Sequence, residues 1–163
     1  MFGSRRKKVT ARAIEMARQP LAILQHNHGL PPLFWNDEFV IGYFGSTIGF
    51  LSHMLGDGRL STTDKGFILV DVLTDISNMN GKVIAERLIE LAQSNPKNEA
   101  FELGADNGSI VTLAAFGKVT PVGQQAVAEA QKSADEQGDP QQMLPILMMS
   151  LFFQPISERF SLK

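Results

Sequence analysis

Residues 39–55, FVIGYFGSTIGFLSHML, carry no formal charge outside a titratable His53 and are apolar on nearly every side, so a fold built on this chain has to bury them all round. A membrane span is the first use to weigh. The run falls short of the roughly 20 apolar residues that cross a bilayer. It contains Ser46, Thr47, Ser52 and His53, with Asp37 and Glu38 before it and Asp57 after it. A central helix in a helical domain is the more economical reading. Gly42, Gly45 and Gly49 fall along one side of that helix. Each glycine weakens a helix by up to about 1 kcal/mol relative to alanine, and close contact with another backbone would compensate. These three glycines therefore mark an expected interaction face.

The rest of the chain reads as helices separated by breakers. Residues 8–19 have Val9, Ile14 and Ala17 at helical spacing, with Pro20 expected to end or kink the helix. A short turn over 21–25 leads to Gly29 and Pro31-Pro32. Asn36 is the expected cap of the glycine-marked helix. Ser61-Thr62-Thr63-Asp64 is a capping box, so a helix should begin near Thr62. Its dense apolar content, Phe67 to Ile76, predicts the core helix of the domain. Val83, Ile84, Leu88 and Leu91 mark the next helix, stopped by Asn95-Pro96. Asp106-Asn107-Gly108 reads as a turn between a short helix at 98–103 and a segment at 110–116. Thr120-Pro121 predicts a helix start running to about Ala134. Asp139-Pro140 repeats the signal before a last helix with Pro145 inside it and an end or kink at Pro155.

These signals predict an all-α fold: a single-domain bundle or orthogonal array of about six or seven helices over residues 9–163, preceded by a basic N-terminal arm over 1–8. A chain of 163 residues can bury enough surface to fold without a metal or a disulfide. It contains no cysteine, which removes thiolate zinc sites, iron–sulfur ligation and a cysteine nucleophile. The N-terminal Ser4-Arg5-Arg6 resembles part of a twin-arginine signal, but the apolar stretch such a signal needs does not follow. The expected location is cytoplasmic.

Residues 51–76, LSHMLGDGRLSTTDKGFILVDVLTDI, join two apolar stretches through Asp57-Gly58-Arg59-Leu60-Ser61, with an acid at Asp64. This segment resembles the TerB-like family of tellurite-resistance helical domains. The resemblance implies an all-helical fold, acidic metal-binding positions at Asp57 and Asp64, and a stress-related or scaffolding role. A turn followed by a capping box explains the same residues. An EF-hand does not: with Gly58 at the loop glycine, the first and third ligand positions would fall on His53 and Leu55.

Other candidate chemistry is sparse. His26 and His28 form an H-x-H pair that extended backbone would turn to one side, offering two nitrogen ligands to a divalent metal. Asp71 and Asp75 share a helix face, as do Glu86 and Glu90, and four such acids could hold a cation or remain as solvated, salt-bridged surface. No nucleophile elbow, phosphate-binding loop, zinc-protease helix or dinucleotide fingerprint occurs. Nucleic acid is an unexpected partner, because the net charge is −2 and no aromatics interleave the basic cluster. Arg5, Arg6, Lys7 and Lys8 could instead touch an anionic membrane surface. Met148, Met149, Phe152 and Phe153 could form an adaptable contact surface or pack as core. The expected function is a non-catalytic, self-associating interaction or regulatory module without a cofactor. The alternatives are a metal-binding protein or metal-dependent enzyme, and a peripheral membrane protein.

Overall fold

The computed structural model describes residues 2–163 and is an all-α, single-domain bundle with no strand among them. The helices are α1 (Phe2–Asn27), α2 (Glu38–Leu55), α3 (Thr62–Ser77), α4 (Gly81–Ala92), α5 (Glu99–Ala115), α6 (Gln124–Glu136), α7 (Met143–Met148) and α8 (Gln154–Phe160). A π turn, Met149–Phe153, joins α7 to α8 without a break. No helix of the described residues is long and apolar enough to cross a membrane.

The centre of the bundle is α2, where Phe39, Tyr43, Phe44, Ile48 and Leu51 are buried. The expectation that the 67–76 helix forms the core is corrected here. Only one side of α3 is buried, through Ile68, Val72, Leu73 and Ile76, while Phe67 is half exposed. A guanidinium makes that exposure tolerable: Arg6 lies over the Phe67 ring, 4.9 Å from its centroid.

Packing of α2 on α5 follows from glycine, and the contact is closer than any side chain would allow. A Cβ added to Gly42 would fall 2.2 Å from the Phe101 carbonyl oxygen; at Gly104 it would fall 2.1 Å from that of Phe39, and at Gly108 2.3 Å from that of Tyr43. The register, Phe39 on Gly104 and Tyr43 on Gly108, means that the two helices run in the same direction. The expected turn at Asp106-Asn107-Gly108 is therefore absent. Those residues lie inside one continuous α5, because Gly108 is required for the approach and not for chain reversal.

Local signals set several helix ends. Asp37, one residue beyond the expected Asn36, caps α2 by accepting from the Val40 N–H at 3.1 Å. Ser61 caps α3 by accepting from the Asp64 N–H at 3.0 Å, and donates to the Asp64 carboxylate at 2.7 Å. Asn98 caps α5. Thr120 forms a turn with Gly123, and α6 starts only at Gln124.

The basic arm is also corrected. Residues 5–8 belong to α1, which passes through Pro20 and ends at Asn27. Val9, Ala13, Ala17, Leu21 and Leu24 keep one stripe buried along the whole helix, so packing holds it together across the proline.

Candidate functional site

A π turn precedes α8, where Pro155 has no N–H to give. In a regular helix that N–H would bond the Leu151 carbonyl, four residues back. Here the Gln154 N–H reaches the Met149 carbonyl in a π turn, and the Leu151 carbonyl accepts instead from Asn107 Nδ2 of α5 at 2.9 Å. A second tie fixes α8. Arg159 donates to both carboxylate oxygens of Asp37 at 2.7–3.0 Å, and the Asp37 side chain is only 15% exposed.

Between the π turn and start of α8 on one side and the C-terminal half of α1 on the other lies a groove of about 330 Å³. Leu24 and Phe153 form its apolar lining, Ile23 and Met149 stand beside them 47% and 60% exposed, and His28 and Gln154 add polar groups. Its volume is in the range of sites that accept a small molecule or a few partner side chains. The π turn shapes one wall, and such turns recur at functional positions.

The expected contact surface over 148–153 divides in three. Phe152 is core at 0% exposure, against Tyr43 and Phe44. Met148 faces a separate cleft, and only Met149 and Phe153 line the groove. The glycine face divides as well. Gly42 seats α5 and Gly45 faces Leu88 of α4, whereas Gly49 is exposed with nothing within 4 Å of an added Cβ. Gly42 and Gly45 thus serve contacts inside the fold.

No group of three or more His, Cys, Asp or Glu side chains that could hold a metal occurs among the described residues. His26 is on the last turn of α1 and His28 follows the helix end, so the extended backbone that would pair their rings is missing. Asp75 pairs with Arg18 of α1, and Arg6 approaches Asp64 at 4.0 Å. Asp71 is exposed, as is Asp57 in the turn after α2. Glu86 and Glu90 pair with Lys82 and Arg87 on their own helix. Two acids singled out in the sequence, Asp64 and Asp75, thus meet Arg6 and Arg18 in ion pairs joining α1 to α3.

Sequence reasoning missed Ile23, Asn107 and Arg159. Pro155 within an apolar helix was a signal that one carbonyl needed a donor from elsewhere. Nothing local pointed to Asn107 as that donor. Compared with known proteins, the chain matches no family model, no curated protein and no solved structure.

Proposed function

We propose that this chain is a non-catalytic helical interaction module that self-associates through the groove between α1 and the π turn. The observation that carries this reading is the pairing of Ile23 and Met149, both substantially exposed, beside the apolar Leu24 and Phe153. Methionine and isoleucine in such a position gain by being covered, and methionine adapts to the shape of what covers it. A net charge of −2 gives little electrostatic repulsion between copies. The scaffolding role implied by the resemblance of residues 51–76 to TerB-like domains points the same way.

Sedimentation from micromolar to near-millimolar concentration tests the proposal. The native chain should gain mass with concentration, and Ile23→Glu and Met149→Glu should each keep it at the mass of one chain. Folding stability should change by less than about 0.5 kcal/mol, as expected for exposed positions. A single-chain mass for the native protein throughout would overturn the proposal.

A second reading has its own observation. Arg5, Lys7 and Lys8 are exposed on α1, whereas Arg6 is turned onto Phe67 and Asp64. Exposed cations on one helix suit an anionic phospholipid surface. That reading requires salt-sensitive binding to anionic vesicles, lost when Arg5, Lys7 and Lys8 are neutralised together.

A further inference from the structure

Leu33 is the most exposed large apolar side chain among the described residues, at 74%. Its backbone is unusual as well. Apart from glycines, Leu33, Asp57, Asn78 and Ser161 have positive φ among those residues. Asn78 and Ser161 end α3 and α8, where a left-handed residue closes the last turn, and Asp57 sits in the turn after α2. Leu33, at φ 60°, ends no helix. It precedes a short 3-10 turn, Phe34–Asn36, to which its side chain gives no capping hydrogen bond. In the left-handed region a leucine Cβ crowds the following carbonyl oxygen, a strain that glycine escapes and asparagine tolerates better.

The surrounding chain holds this conformation in place. The Phe34 N–H donates to the Pro31 carbonyl at 3.2 Å and the Asn36 N–H to that of Leu33 at 2.9 Å, and the Phe34 and Trp35 side chains next to it are buried. Leu33 thus combines a strained backbone with an uncovered side chain, and its own fold gains from neither. Strain that the surroundings fix in this way clusters at functional positions.

The groove between α1 and the π turn offers matching chemistry. Ile23, Leu24, Met149 and Phe153 give it apolar surface, and no Asp, Glu, Lys or Arg lines it. Leu33 follows the uncharged Pro31-Pro32, so bringing the two surfaces together strips water from no carboxylate, ammonium or guanidinium group of either. Leu33 does not line the groove of its own chain. His28, at the groove's edge, is five residues away, so the chain between them spans at most about 18 Å. A knob and a hole this near on one surface suit reciprocal exchange between two copies. We infer, on the reading that the groove is the self-association surface, that each copy's Leu33 fills the groove of the other about a two-fold axis.

Sedimentation of two full-chain variants, alone and mixed, tests this exchange. Leu33→Asn should weaken association at least about tenfold, as expected for loss of a buried leucine, and should leave the melting temperature at low concentration unchanged or raised. Met149→Glu spoils the groove and should also weaken association. In an equimolar mixture one contact stays intact, with Leu33 of the Met149→Glu copy in the groove of the Leu33→Asn copy, and both changes fall in the other contact. The mixture should therefore associate more tightly than either variant alone. Should Leu33→Asn not fold, Leu33→Gly, which suits the left-handed backbone, takes its place. Where the native chain associates, equal association of the Leu33 variant, or a mixture no tighter than its components, would overturn the exchange and leave the groove contact standing. A fall in melting temperature of more than about 4 °C would also overturn it, because Leu33 would then serve its own fold. A single-chain mass for the native protein throughout would overturn the groove contact and the exchange together.

Discussion

Where α5 packs on α2, carbonyl oxygens of one backbone rest against Gly104 and Gly108 of the other, with only hydrogen between. Between α1 and the C-terminal helix, side chains such as Ile23, Met149 and Phe153 line a groove of about 330 Å³. The first contact has no slack, because any added atom collides with main chain. The second can change by rotamer adjustment alone. The difference teaches that burial of apolar residues does not by itself say where a helical protein is rigid; what matters is whether backbone or side chain forms the contact.

The largest effect should come from the glycine contact. Gly108→Ala puts a methyl 2.3 Å from the Tyr43 carbonyl oxygen, and loss of about 3 kcal/mol or more, or failure to fold, is expected in chemical denaturation. An alanine variant as stable as the native chain would remove the distinction drawn between the two regions.

Asn107 links the regions, reaching from α5 to the π turn. Asn107→Leu leaves the Leu151 carbonyl without its donor, and a loss of about 1–3 kcal/mol should follow. Faster amide exchange should appear around residues 149–155 before it appears in α2.

Tyr43 sharpens the picture through pH. Burial raises its phenol well above the ordinary value of 10.0, so it stays protonated in the fold after the unfolded chain has ionised. The unfolded state then binds fewer protons above pH 10, and stability should fall as pH rises, by up to about 1.4 kcal/mol per unit. It is the only tyrosine in the chain, so phenolate absorbance should grow only as the protein unfolds. Ionisation near pH 10 in the intact fold would contradict the burial described.

The smallest effect is the control. Gly49→Ala, on the same helix as Gly42 but facing open space, should stabilise the protein by up to about 1 kcal/mol through helix propensity. Destabilisation there would mean that Gly49 has a contact of its own.

Helix type was legible in the sequence because helical spacing and capping are local properties: the Ser61 cap and the Val9 and Ala17 spacing act within a few residues. The continuation of α1 through Pro20 was not, because a proline locally reads as an end and only the burial of Leu21 and Leu24 carries the helix past it. The roles of Asp106-Asn107-Gly108 were not legible, since local rules favour a turn there. Only the arrival of α2 turns Gly108 into a contact point and Asn107 into a donor. The site residues follow the same division. Met149 and Phe153 stood out as an apolar stretch, but which of their neighbours faced solvent depended on the register of the π turn. The histidines and acids stood out by spacing; the fold puts His26 and His28 at the end of α1, turns Asp64 and Asp75 toward arginines of α1, leaves Asp57 and Asp71 exposed and pairs Glu86 and Glu90 within α4.

Hydrogen exchange of the native chain at low and high protein concentration tests the central claim most directly, because it reads both regions in one experiment. The account predicts that protection rises with concentration at residues 23–28 and 149–157 and is unchanged along the α2–α5 contact. No concentration dependence at the groove, or a rise confined to some other surface, would contradict it.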